Sequence, residues 1–93
     1  MSQVLWTASA LADLRAIRAY IAQFNPGAAR EVADSLIDAG DRLADFPNRG
    51  RPVPRGVMRE LIVDAPYIIR YRIDGDIVVI MRVRHAARRP TNP

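Results

Sequence analysis

The last third of the chain carries three segments, residues 58–63, 67–73 and 77–83, that are rich in β-branched, aromatic and arginine side chains. Pro66 lies between the first two segments and Gly75 between the last two, and both residues favour turns. Consecutive extended segments joined by short turns pair with one another in antiparallel fashion. The sequence therefore predicts an antiparallel sheet, which constrains everything else that the chain can form.

The Asp74-Gly75 connection has the composition of a two-residue hairpin turn, and such a turn fixes the register of the strands on either side. The expected opposed pairs are Arg72 with Ile77, Arg70 with Val79, and Ile68 with Met81. Because successive side chains point to opposite sides of a sheet, this register assigns each residue to a face.

The two faces of the predicted hairpin differ in character. One is apolar and is expected to hold the rest of the fold; it carries Tyr67, Ile69, Tyr71, Ile73, Val78 and Ile80. The other carries Ile68, Arg70, Arg72, Ile77, Val79 and Met81. No predicted element is left to cover this second face, and an exposed surface that mixes apolar and cationic side chains indicates a binding partner.

The first half of the chain predicts a short strand, over residues 3–6, and two helices. Thr7 or Ser9 is a suitable cap for the first helix, and Asn25-Pro26 ends it and begins the second. The apolar stripes are Leu11, Leu14, Ile17, Ile21 and Phe24 in the first helix and Ala29, Val32, Leu36, Ala39, Leu43 and Phe46 in the second. We expect both stripes of this antiparallel helical hairpin to face the core.

Composition supports a small folded protein with a basic C-terminal half. The 93 residues, 49% of them hydrophobic, suffice for one domain spanning residues 1–93. Four arginines and six acidic residues precede Arg49, whereas ten arginines and four acidic residues follow from that position. No lysine is present to act as a base, and no cysteine to form a disulfide or a thiolate metal site. No leader or membrane-spanning run is visible, so we expect a cytoplasmic protein.

The segment between the second helix and the sheet is rich in proline, glycine and arginine. Arg49, Arg51 and Arg55 alternate there with Pro47, Gly50, Pro52, Pro54 and Gly56. Two interpretations are open: a solvated connector, or a basic arm that grips an anionic partner.

Taken together, an ordered set of motifs resembles the ParE/RelE superfamily of bacterial toxins. The set comprises Asn25-Pro26, Phe46-Pro47, Gly50-Arg51, and residues 59–61, 67–72 and 82–88. The resemblance implies an α+β fold of order β-α-α-β-β-β, in which an N-terminal strand and an antiparallel helical hairpin pack on one face of a small antiparallel sheet. It also implies the toxin component of a type II toxin–antitoxin, or plasmid stabilization, system.

Members of the RelE branch cleave messenger RNA on the ribosome, whereas members of the ParE branch inhibit DNA gyrase. RNA cleavage through the 2′-hydroxyl needs a base, an acid and cations for the phosphate. RelE-like nucleases use lysines, an arginine after the central-strand tyrosine and a terminal tyrosine. Here lysine is absent, Ile68 follows Tyr67, and Ala86 follows His85. We therefore expect a binding protein that inhibits gyrase and needs no catalytic residues.

Three functions are kept open: the gyrase inhibitor, a RelE-like ribosome-dependent endoribonuclease, and a nucleic-acid-binding module without toxicity. The expected contacts to target or antitoxin are Arg51, Arg59, Ile68, Arg70, Arg72, Met81, Arg82, Arg84, His85 and Arg88. A nuclease would use Glu60, Arg70, Arg82 and His85, with Arg84 beside them. The resemblance implies a ParD-like, ribbon-helix-helix antitoxin and a toxin–antitoxin hetero-oligomer, and no cofactor, metal, membrane or small-molecule substrate is expected.

Overall fold

The computed structural model describes residues 3–64 and 66–88, which form two helices packed on a five-stranded sheet. The order of elements is β1 (Gln3–Trp6), α1 (Ala8–Ala22), α2 (Pro26–Asp41), a 3-10 turn (Arg42–Ala44), β2 (Arg51–Pro52), β3 (Met58–Val63), β4 (Tyr67–Asp74), β5 (Ile77–His85) and a second 3-10 turn (Ala86–Arg88). This confirms the predicted α+β architecture and adds the two-residue strand β2.

Side-chain caps define where the helices begin. The Thr7 hydroxyl accepts a hydrogen bond from Ala10 N–H at 3.1 Å, and the Asn25 side chain accepts one from Ala28 N–H at 3.0 Å. Pro26 occupies the first position of α2, where a missing N–H has no helical partner to lose. Both predicted helix starts are therefore confirmed. In the described residues, no helix is long and apolar enough to cross a membrane.

The strand order is β1-β5-β4-β3-β2. Strands β2 to β5 pair with their neighbours in antiparallel fashion, as the short connections require. Strand β1 pairs with β5 in parallel, with Gln3 opposite Ile77 and Trp6 opposite Ile80. Strand β1 therefore forms one edge of the sheet, a placement that local sequence patterns do not specify.

Both helices pack on the face of the sheet that the alternation pattern selected. Ile69, Tyr71, Val78 and Ile80 are each 0% exposed. They form one cluster with helix residues such as Leu36, and Leu14, Leu43 and Val83 belong to the same cluster. Burial of these apolar side chains is the main stabilising contribution of the fold.

Parts of the predicted helix stripes do not reach this core. Leu11, Phe24 and Phe46 are 40, 73 and 63% exposed, so the prediction that they face the sheet is wrong. On α1 it is Ala10 that packs fully at the start of the helix, while Phe24 and Phe46 lie beyond the helix ends. In the sequence, the apolar spacing of three and four residues continues beyond the residues at which the two helices end.

The predicted register of the β4–β5 hairpin is also wrong. Gly75 and Asp76 form the turn, since Asp74 opposes Ile77, and Gly75 takes a positive φ of 61°. The pairing then shifts once: Tyr71 opposes Ile80, but Arg70 opposes Arg82. An extra residue in one strand of this kind is a β-bulge, and it reverses the faces of all residues that follow.

Candidate functional site

The bulge determines what the open face of the sheet displays. Without it, Met81 would share the face of Arg70, as the sequence analysis expected. With Met81 as the extra residue, Arg82 and Arg84 stand opposite Arg70 and Ile68, while Val83 enters the core at 3% exposure. The bulge thus directs Arg82 and Arg84 to the same face of the sheet as Arg70, although the guanidinium group of Arg82 reaches Asp13 of α1.

A row of charged residues crosses this face at right angles to the strands. Arg51 of β2 opposes Glu60 of β3, Glu60 opposes Arg70 of β4, and Arg70 opposes Arg82 of β5. Directly opposed residues of antiparallel strands are close enough for their side chains to interact. The row therefore contains one carboxylate, between Arg51 and Arg70, and three guanidinium groups.

Glu60 and Arg70 form the ion pair at the centre of the row. Arg70 donates to the Glu60 carboxylate from Nε at 3.1 Å and from Nη2 at 2.5 Å. The side chain of Glu60 is 17% exposed and that of Arg70 is 36% exposed, so the pair is partly shielded from water. Shielding strengthens the interaction and fixes the Arg70 guanidinium in place.

Arg82 is held by an acidic residue that the sequence analysis missed. Its Nε and Nη2 donate to the Asp13 carboxylate of α1 at 2.8 and 3.2 Å, and Val83 N–H donates to the same carboxylate at 2.9 Å. Burial raises the pKa of Asp13, but these hydrogen bonds and the charges of Arg82 and Arg84 outweigh it and hold the pKa below its ordinary value. Asp13 therefore stays ionised and ties α1 to the strand just after the bulge.

Arg72 and Arg84 are the less constrained cations of the face. Arg72 lies 3.9 Å from the Asp74 carboxylate, and the Arg72 side chain is 42% exposed. Within the described part of the chain, no hydrogen bond or ion pair holds the Arg84 guanidinium. Apolar neighbours surround these cations: Ile68 beside Arg84, Val79 beside Arg72, and the exposed Leu5, Ile62 and Ile77. Arginine among aliphatic side chains is typical of protein-binding surfaces.

His85 lies apart from this surface, on the helix side of the sheet. It opposes Tyr67, and the two rings meet edge to face with centroids 5.2 Å apart. Its Nδ1 accepts a hydrogen bond from Ala87 N–H at 3.1 Å, and the ring lines a cleft of about 310 Å³ together with Ile17 and Tyr20 of α1. The sheet therefore separates His85 from Glu60 and Arg70.

The remaining predicted contact residues have other surroundings. Arg59 lies at the register of the buried Tyr71, and its Nη1 donates to Gly50 C=O at 2.6 Å and Asn48 C=O at 3.3 Å. Arg51 is exposed at the edge of the open face. Arg88 ends the second 3-10 turn, and its side chain lies outside the described residues.

Tyr71 has a polar role that its position in an apolar pattern concealed. Its ring is fully buried, while its hydroxyl donates to Pro47 C=O at 2.6 Å and accepts from Gly50 N–H at 2.8 Å. A side chain on Gly50 would lie 2.7 Å from the Tyr71 ring, so glycine is required there. A tyrosine among aliphatic core residues was the only sequence signal for this contact.

The chain is similar to known proteins in both sequence and structure. Residues 4–90 match the family described as the ParE toxin of the type II toxin–antitoxin system, parDE. The chain is 53% identical over 88 residues to Toxin RelE2 of Caulobacter vibrioides, covering 95% of this chain and 99% of that one. It is 34% identical over 80 residues to Toxin RelE3 of the same organism, covering 83 and 86% of the two chains. A solved structure titled "Chromosomal ParDE TA system from P. aeruginosa" superposes with a TM-score of 0.79 at 26% identity, covering 91 and 96% of the chains.

Proposed function

The chain belongs to the ParE toxin family of type II toxin–antitoxin systems, and from this premise we propose that it arrests growth by inhibiting DNA gyrase. The observation that carries the proposal is the division of the candidate nuclease residues between the two sides of the sheet. Glu60 and Arg70 bind each other on the open face, whereas His85 packs against Tyr67 on the helix side. An inhibitor that acts by binding does not need these groups to meet at one point.

The chemistry of each group supports the same proposal. Proton transfer requires an acid or base within hydrogen-bond reach of the reacting atom. The Glu60 carboxylate already accepts two hydrogen bonds from Arg70, and Nδ1 of His85 already accepts one from Ala87. Arg82 is committed to Asp13. What the open face offers to a partner is Arg72 and Arg84 with the aliphatic side chains around them.

The competing proposal is a ribosome-dependent endoribonuclease. Both Caulobacter relatives described above carry the name RelE, and cationic side chains on an open sheet suit an RNA phosphate backbone as well as a protein. In that case Arg70 and Arg82 would stabilise the phosphate, and catalysis would require His85 to act from beyond the strand end. The two proposals differ in whether a chemical step occurs.

The partner in the cell is the antitoxin of the same system. We propose that it is ParD-like, with a ribbon-helix-helix domain followed by an extended segment that places acidic side chains beside Arg70, Arg72, Arg82 and Arg84 and apolar ones near the helical hairpin. Opposite charges on the two partners would make association fast and salt-sensitive. We also propose that both partners act in the cytoplasm and serve to stabilise the genetic element that encodes them.

Induction of the toxin without antitoxin tests the proposed target. We expect induction of the DNA-damage response, and loss of supercoiling activity when purified toxin is added to gyrase. Messenger RNA should show no new cleavage within translated regions during the first minutes of growth arrest. Cleavage of translated messenger RNA at fixed positions within codons, with gyrase activity unchanged, would instead establish the endoribonuclease.

A further inference from the structure

We propose that the loop between α2 and β2 binds a guanine nucleotide, with the base stacked on Phe46 and the phosphate held by Arg49. Two interpretations of this basic segment followed from the sequence, a solvated connector and an arm for an anionic partner. The contacts of the loop favour the second and indicate the chemistry of the ligand. The presence of such a site is independent of whether the toxin acts on gyrase or on the ribosome.

The loop is held in one conformation by side chains of the sheet. The Tyr71 hydroxyl donates to Pro47 C=O at 2.6 Å and accepts from Gly50 N–H at 2.8 Å. Arg59 donates to two further carbonyl oxygens, those of Asn48 and Gly50. A segment that only joins α2 to the sheet does not need these contacts, whereas a binding loop on a rigid scaffold does. A fixed backbone loses little conformational entropy on binding a ligand, so these hydrogen bonds preorganise the loop.

A turn within the loop brings an aromatic ring and a cation together at the surface. Arg49 N–H donates to Phe46 C=O at 3.1 Å, which closes a four-residue turn. The ends of such a turn lie within about 7 Å of each other. Phe46 is 63% exposed, and within the described residues no other ring packs against it. An exposed ring beside a guanidinium group matches the two parts of a nucleotide, a base that stacks and a phosphate that carries charge.

The cations of the loop are available to a phosphate. Arg49 is exposed, as is Arg51 two residues further along, and in the described part of the chain no carboxylate pairs with either of them. Residues 46–59 contain four arginines and no acidic residue. A guanidinium group binds phosphate oxygens in bidentate fashion and stays charged. Arg49 therefore suits direct contact with the phosphate, and Arg51 adds to the attraction.

The cleft beside Phe46 indicates which base fits. Its volume is about 630 Å³, within the range of small-molecule sites, and its lining includes Asp45, Asn48 and Arg49. Among the described residues, neither the Asp45 carboxylate nor the Asn48 amide forms a hydrogen bond, and Asp45 does not pair with Arg49. The adjacent N1–H and 2-amino groups of guanine offer two donors to one carboxylate, and no other common base has this pair of donors. Asp45 therefore selects guanine.

Titration of the unmodified toxin with nucleotides tests the site. The amide signals of isotope-labelled protein are followed by NMR during addition of GMP, AMP or inorganic phosphate. We expect the largest shifts at Phe46, Asn48 and Arg49 with GMP, and an affinity for AMP about tenfold lower because the hydrogen bonds to Asp45 are lost. Unmoved signals at these three residues would overturn the site, and equal affinities for GMP and AMP would overturn the assignment of guanine.

Oligonucleotides distinguish the two sources of such a ligand. A short single strand with one guanine among thymines is compared with GMP. Tighter binding of the strand would show that the site reads a guanine within a nucleic-acid chain, whereas tighter binding of GMP would identify the free nucleotide. An all-thymine strand that binds as well as the guanine-containing one would contradict the proposal, since only the phosphates would then be recognised.

Matched variants supply a further test. Phe46→Leu removes the stacking ring but keeps an apolar side chain, and Phe24→Leu makes the same change at the other phenylalanine, which is also exposed. GMP affinity should fall about tenfold in Phe46→Leu and stay unchanged in Phe24→Leu. Arg49→Gln should also weaken binding, whereas Arg30→Gln on α2 should not. Equal affinities of the two leucine variants, both folded by circular dichroism, would contradict stacking on Phe46. Gyrase takes no part in these measurements, so their failure would leave the proposed target untouched.

Discussion

The two faces of the sheet consist of alternate residues of the same strands, yet one face is buried against the helices and the other is open to solvent. On the helix side, Ile69 and Tyr71 are fully buried, and the polar hydroxyl of Tyr71 has its hydrogen-bond partners. On the open side, the neighbouring Arg70 and Arg72 keep part of their side chains in water. Core packing is concentrated on the helix side, and we propose that recognition takes place on the open side, so substitutions one residue apart should have separable effects.

The largest effect is expected from a pair of neighbours in β4. Ile69→Ala should lower the free energy of unfolding by about 2–5 kcal/mol, because it opens a cavity in the core. Ile68→Ala on the open face should cost less than about 1 kcal/mol. Urea denaturation of the two variants measures both values. Similar costs at the two positions would show that the open face is covered in the folded protein.

The next effect concerns recognition on the open face. Arg72→Ala combined with Arg84→Ala should abolish growth arrest, since each interfacial guanidinium contributes roughly 1–3 kcal/mol through charge-assisted hydrogen bonds. The matched control removes the same charge from the helix surface, as Arg18→Ala with Arg30→Ala, and should still arrest growth. Growth curves of inducible strains provide the measurement, with folding checked by circular dichroism.

His85 on the helix side provides the contrast to those arginines. His85→Ala should leave growth arrest nearly intact, because a binding protein needs no proton transfer. If this variant is folded but harmless, while the arginine variant still arrests growth, the endoribonuclease becomes the better account.

A smaller effect is expected at Tyr71, whose hydroxyl connects the buried face of the sheet to the loop at residues 47–50. Tyr71→Phe keeps the ring but leaves Gly50 N–H and Pro47 C=O without the hydroxyl, at a cost of about 1–2 kcal/mol. Thermal denaturation gives the cost, and hydrogen exchange at Gly50 should quicken while exchange in β4 and β5 stays slow. Unchanged exchange at Gly50 would mean that Arg59 alone fixes the loop.

The smallest effect is a pH dependence of the free energy of unfolding, caused by Asp13, which connects α1 to β5. The pKa of Asp13 is lower in the folded state than the ordinary value of 3.8, so the folded state binds this proton less readily than the unfolded state. Its stabilisation is therefore complete above the ordinary value and is lost as pH falls through the folded pKa. The stability gap between the natural chain and Asp13→Asn should be constant from pH 7 to 5 and shrink below pH 4. A gap that grows on acidification would reverse this assignment.

Much of the fold was predictable because it depends on local chemistry. The caps at Thr7 and Asn25 and the proline at the start of α2 determine where the helices begin. Alternation in β4 separates Ile69 and Tyr71 from Arg70 and Arg72, because the period of a strand is two residues whatever it packs against. The order of elements, the helix-bearing face and the resemblance to the ParE/RelE toxins all followed from the sequence.

The tertiary structure alone decided the register of β5 and the partners of its arginines. The Thr7 hydroxyl donates to Ile80 C=O and Met81 C=O, and the Asp13 carboxylate receives Val83 N–H, so the bulge depends on contacts some 70 residues apart in the chain. The sequence determined which charged and apolar side chains the toxin has for its proposed recognition surface. Long-range hydrogen bonds between side chains and the β5 backbone decided that Arg82 and Arg84, and not Met81, join Arg70 on the open face, because a one-residue shift in register moves every later side chain to the opposite side.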